Sequence, residues 1–131
     1  MAKGLGDVLY NLLSNNVDVS AIVGTNIFPF IAVEDIACPY IVYTLEGVDP
    51  TQTKDGQSPL DTVTVNIELY TETLEELEDL GNKTRTLLDR YGGIVETVCI
   101  QSMSFTAEDY GYADEDRVYI KIQSYSVRIV K

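Results

Sequence analysis

Apolar and polar residues alternate one by one between positions 61 and 71. Val63, Val65, Ile67 and Leu69 fall on one side, with Thr62, Thr64, Asn66, Glu68 and Tyr70 on the other, the period of two expected of a strand with one face on a core. The period then changes to three and four. Leu74, Leu77, Leu80, Thr84, Leu87, Leu88 and Tyr91 form one stripe along a helix. Thr73 is placed to cap it, Glu76 completes a capping box, and Gly92-Gly93 supplies a stop. Residues 60–93 are therefore predicted to be a strand, a tight turn and a helix that lies on the sheet.

Elements of the same kinds flank this centre. Leu5, Val8, Leu9, Leu12 and Leu13 predict a helix over residues 5–15, ended by Asn15-Asn16. A single turn carrying Val19, Ile22 and Val23 follows, capped by Asp18 or Ser20 and closed by Gly24. Residues 27–31 are apolar, but Pro29 cannot donate to a ladder, so they predict an edge strand or an extended arm. Pro39 opens a β-branched and aromatic strand over residues 40–46. Residues 47–59 are rich in turn formers and predict a long exposed hairpin loop, either a mobile connector or a segment ordered by a partner. Residues 94–105 predict a strand that the acidic segment 108–116 interrupts. The last strand, 117–130, places Val118, Ile120 and Ile122 on one face, then Tyr125, Val127 and Ile129 on the other. Such a switch implies a β-bulge, or a strand end that packs on a second subunit.

Size and composition bound this picture without identifying a chemistry. The 131 residues, 45 % of them hydrophobic, with a mean hydropathy of zero, fit one domain spanning residues 1–131. No apolar run reaches the roughly 20 residues of a spanning helix, and residues 1–6 lack the apolar core of a signal peptide. The formal charge of −12 and pI near 4.1 argue against tight binding to nucleic acid or an anionic membrane. Cys38 and Cys99 have no CxxC spacing and are expected as buried, unpaired thiols.

The candidate reactive groups are few. Histidine is absent, which removes the commonest general base and metal ligand. Glu72, Glu75, Glu76, Glu78 and Asp79 lie in the first turns of the predicted helix, where the dipole and solvent favour them as a charged face. Segment 109–116 lacks the spacing of a calcium loop, and Gly92-Gly93 has no lysine and follows a helix, unlike a phosphate cradle. No catalytic, metal or cofactor-binding residue is assigned. Tyrosine pairs apolar area with a polar tip, so Tyr110 and Tyr112 in the acidic segment are candidate partner contacts, with Lys54 and Gln57 in the hairpin loop.

The order of these features resembles the tail terminator or tail completion proteins encoded between the neck and tail genes of long-tailed phages. The resemblance rests on the N-terminal helix, Ile22-Val23-Gly24-Thr25-Asn26-Ile27-Phe28-Pro29, Cys38-Pro39-Tyr40-Ile41-Val42-Tyr43, and the alternating strand 63–70. The helix of residues 74–88, and an acidic segment leading to Tyr125-Ser126-Val127-Arg128-Ile129, complete it. It implies a non-enzymatic virion protein without cofactor, found at the head-proximal end of the tail and in the bacterial host cytoplasm during assembly. It also implies a homo-oligomeric ring, typically a hexamer, with the tail tube protein and a head–neck connector protein as partners. The predicted fold is α/β (α+β): a mostly antiparallel sheet with two main helices, in the order α-β-β-β-α-β-β. The Pro29 segment and the final strand are its candidate edges for joining neighbours. A monomeric acidic adaptor, and a small-molecule-binding protein or unrecognised enzyme, are the alternatives.

Overall fold

A computed structural model describes residues 5–24, 26–31, 38–53, 56–95, 98–114 and 117–130. Its strands are β1 (Ile27–Pro29), β2 (Tyr40–Thr53), β3 (Gly56–Thr71), β4 (Gly93–Val95), β5 (Val98–Ala113) and β6 (Val118–Val130). They form one sheet in the order β1-β2-β3-β6-β5-β4, in which only the β1–β2 pairing is parallel. The predicted alternation sets the faces of β3. Val63, Val65, Ile67 and Leu69 point inward, each at most 3 % exposed, and the intervening side chains are half-buried on the opposite, open face.

The helices α1 (Leu5–Asn15), α2 (Val17–Val23) and α3 (Leu74–Leu88) cover the inward face. Leu5, Val8, Leu9 and Leu13 of α1 join Val19, Val23, Leu77, Leu80 and Leu88 in one core cluster with the inward residues of the sheet. Where a single turn was expected, α2 has seven residues, and its cap is Asn16, whose Oδ1 accepts a hydrogen bond of 3.0 Å from the Val19 N–H. Thr73 caps α3 as expected, its Oγ1 accepting from the Glu76 N–H at 3.1 Å. Leu74, assigned to the apolar stripe, is instead exposed, because it sits in the first turn beyond the reach of the sheet. The helix stops at Leu88, before Tyr91. The Asp89 N–H closes on the Arg85 carbonyl, and Arg90, not a glycine, takes the left-handed conformation. Gly92 serves close packing: a Cβ there would lie 3.1 Å from the Gln101 carbonyl oxygen.

Four further expectations are corrected. Residues 47–53 and 56–59 are not an open loop but the ends of β2 and β3, paired through Asp49↔Thr62, Pro50↔Asp61, Gln52↔Gln57 and Thr53↔Gly56. Residues 108–113 likewise continue β5 against β6. In both hairpins ladder hydrogen bonds outweigh the local turn preference of Gly, Asp and Pro. The predicted 94–105 strand is divided, with β4 folding back on β5 through Val95↔Val98. Finally, β6 carries no bulge, since its pairing with β3 runs unbroken from Leu60↔Val130 to Thr71↔Tyr119. It lies between β3 and β5, so it offers no edge to a neighbour. Cys38 and Cys99 form no disulfide and are half-buried, not fully buried. Thr73→Ala removes an N-cap acceptor and should lower stability by about 1 kcal/mol, whereas Thr73→Ser should leave the denaturant midpoint nearly unchanged.

Candidate interaction surfaces

The apparent face switch in β6 has a different cause from a bulge. The inward positions of β6 are odd-numbered, so Tyr125 and Val127 continue toward the N-terminus as Gln123 and Lys121, both buried. Lys121 Nζ lies 3.0 Å from Glu78 Oε1 and 3.4 Å from Glu108 Oε1, and 4.7 Å from the centroid of the Tyr110 ring. Gln123 Nε2 donates to the Gly81 carbonyl at 2.9 Å and to Glu108 Oε2 at 3.2 Å. Its Oε1 accepts from Thr84 Oγ1 at 2.8 Å and from the Tyr125 hydroxyl at 2.9 Å. Gly81 makes room for this, because a Cβ there would come within 2.9 Å of the Lys121 side chain. Every described buried side-chain polar atom has a partner.

The charges in this cluster reinforce one another. Burial pushes Lys121 down, but hydrogen bonds with Glu78 and Tyr110 and the Glu108 carboxylate more than compensate, so its pKa lies above the usual lysine value. The Tyr110 hydroxyl, donating to Glu78 Oε1 at 2.7 Å, is the leading cause that holds Glu78 below the ordinary carboxylate range, followed by Lys121. Tyr110 is thereby tied to α3 while its side chain stays 58 % exposed. Tyr112, half-exposed beside it, packs against Tyr119 at 4.9 Å between ring centroids. The two candidate tyrosines thus share one stretch of β5. Gln57 lies far from them on β3, paired with Gln52, and Lys54 falls outside the described residues. Sequence reasoning missed Lys121, Gln123 and Gly81, and placed Thr84 on the helix stripe and Glu108 in the acidic segment without assigning either to a site. The available signal was a polar pair at the inward phase set by Tyr125 and Val127, opposite a helix stripe interrupted by Gly81 and Thr84.

The open face of the sheet is divided along its length. At the β1 end, Phe28 meets Tyr40 edge-on at 6.5 Å, Tyr40 stacks on Tyr70 at 4.6 Å, and Val42, Ile120 and Ile122 lie in the same rows. Burial, then the hydrogen bond to Glu68, raises the Tyr70 pKa. At the other end the face carries Thr44, Thr62, Thr64, Asn66, Ser124 and Ser126. Asn66 donates to Glu46 and accepts from Ser124, both at 2.7 Å.

Of the exposed large apolar side chains, Phe30 and Ile31 lie beyond β1 and Ile94, Tyr110 and Tyr112 on β4 and β5, whereas Tyr10, Val17 and Leu74 lie on the helices and Val130 at the end of β6. Among the described residues no group of three or more His, Cys, Asp or Glu is placed to hold a metal ion. The depression bordered by Asn82, Arg85, Thr86, Asp89 and Arg90 is a polar hollow on the outer side of α3.

Compared with known proteins, the chain matches the model of the family described as tail completion protein gp17 over residues 7–129. No curated protein matches significantly. Among solved structures, a chain of the virion of a native gene transfer agent particle superposes with a TM-score of 0.75 at 13 % identity. The superposition covers 94 % of this chain and 92 % of that one; at such identity the likeness is one of fold.

Lys121→Met keeps most of the buried stem but leaves Glu78 and Glu108 without their cation, and should lower the urea midpoint near neutral pH. Because the Glu78 pKa is lowered on folding, its stabilisation is present above the unfolded carboxylate value and lost as pH falls through the folded one. Glu78→Gln should therefore narrow the gap between unfolding midpoints measured at about pH 7 and about pH 3.

Proposed function

The chain belongs to the tail completion protein gp17 family, as a structural tail protein of a virion, and from that premise we propose that its copies close into a ring capping the tail tube. The ring, a hexamer in this reading, sits at the head-proximal end and joins the tail to the head through the tube protein and the head–neck connector protein, without catalysis. The chain acts in it as a single domain. The observation that carries this reading is the family match along residues 7–129.

The architecture agrees with it. The sheet ends in two unlike edges, β1 with β2 on one side and β4 with β5 on the other, and joining unlike edges repeats head to tail, the kind of contact that closes into rings. With 21 acidic against 9 basic residues, a ring of such chains repels nucleic acid moving through it instead of holding it. The β2–β3 hairpin extends past Leu60, the last β3 residue paired with β6. Lys54 and Gln57 are the proposed contacts to the tube.

Light scattering over a range of concentration and salt tests this directly. A ring-sized mass is expected, or a monomer that becomes a ring when tail-tube protein is added. A chain that stays monomeric with tube protein present would overturn the reading and favour the monomeric adaptor.

A further inference from the structure

The two edges of the sheet are stepped in opposite senses. One row of cross-strand partners runs Ile27, Ile41, Leu69, Lys121, Tyr110; it starts on β1 and stops at β5 with no described strand beyond. A second row runs Pro50, Asp61, Ile129, Ile100, Gly93; it stops at β2 on one side and continues to β4 on the other. Each edge therefore consists of one three-residue strand and one long bare stretch, at opposite ends.

The hydrogen bonds define where each stretch is bare. The Phe30 N–H donates to the Tyr43 carbonyl and the Ile41 N–H to the Asn26 carbonyl, so Ile41 and Tyr43 turn their peptide groups toward β1. By the alternation of a strand, Leu45 turns its own the same way, past the end of β1. On β5 the turn after α3 covers the nearer part: the Arg90 N–H donates to the Met103 carbonyl and Asp89 Oδ1 accepts from the Phe105 N–H. Beyond the register shift between Phe105 and Ala107, residues 107–113 have β6 on one side and no described strand on the other.

We infer that, in the ring proposed above and on which this step rests, the β1 edge of one copy seats against the bare β5 stretch of the next, while β4 of that neighbour enters the notch beside β2. The occupant is a second copy because each step supplies the short strand that the other lacks. Charge points the same way. Two chains of −12 repel, but β1 with Phe30 and Ile31 is uncharged and meets the stretch bearing Glu108 and Asp109, and the uncharged β4 meets the stretch bearing Glu46 and Asp49. Both junctions thus avoid placing carboxylates opposite carboxylates. Directions agree as well: β1 runs parallel to β2 and hence antiparallel to β5, so it can extend the sheet as an antiparallel partner. The exposed side chains of Phe30 and Ile31, the former held at φ 62°, reach Tyr110 and Tyr112 of the neighbour and bury apolar area that each copy alone leaves in water.

Cross-linking decides it. In the full chain with Cys38 and Cys99 replaced by serine, Phe30→Cys with Tyr112→Cys is treated with a short bifunctional maleimide, with tail-tube protein present, and the same samples are weighed by light scattering. Ile31→Cys with Tyr112→Cys is the second pair, in case position 30 does not accept cysteine. The expected result is a covalent ladder rising to the ring mass for the pairs, and no cross-linked species for any single cysteine. A ring mass without cross-links from either pair overturns this edge assignment and leaves the ring standing. A monomer mass overturns both.

Discussion

The unbroken ladder between β3 and β6 is the constraint on which the rest of the molecule depends. Its register holds over every pair from Leu60↔Val130 to Thr71↔Tyr119, and a slip of one residue in β3 would exchange its two faces relative to β6. Val65, Ile67 and Leu69 would then leave the core, and the hydroxyl-bearing residues between them would enter it. The three helices cover only the face that this register makes apolar, so their positions are a consequence of the ladder. The outer strands add to a frame already fixed.

Within that frame, Lys121 and Gln123 are the exception that gives α3 its place. An apolar strand face would let a helix slide over it with little penalty. Here Gln123 bonds the Gly81 carbonyl and the Thr84 hydroxyl, and Lys121 pairs with Glu78 a turn away. Burying polar groups is costly unless they are satisfied, and these are satisfied only with α3 at one height and one rotation. The same contacts hold Tyr110 against the helix, linking the interior to a side chain on the outer strand.

The sequence made the centre of the fold readable and the periphery less so, for physical reasons. Val63 to Leu69 and the stripe of α3 are local periodicities, and the Thr73 cap is set by residues three apart. The ends of β2 and β5 are hairpin arms paired with residues close in sequence, down to Thr53↔Gly56 and Ala113↔Val118, and their Gly, Pro and Asp residues signal turns over whole stretches where the ladders override them. The β6 face switch misled because Ile120 and Ile122 are apolar yet lie on the open face, while the polar Lys121 and Gln123 are inside. The candidate site was half legible. Tyr110 and Tyr112 are exposed neighbours on one stretch of β5, but Glu78 and Lys121, which anchor Tyr110, belong to a cluster assembled from α3 and β6.

The irregularities of the sheet lie in the two pairings that flank its central one, and one of them falls on β3 itself, where Pro50 and Gln52 of β2 face Asp61 and Gln57. Register shifts interrupt β2 against β3, and β5 against β6, each twice, whereas β3 and β6 run against each other without one. Bulges bend a strand and increase its local twist. Bending is therefore placed in the outer pairings, while the β3–β6 ladder stays regular. The curl of the sheet is thus set by the extra residues in its hairpins and not by its centre.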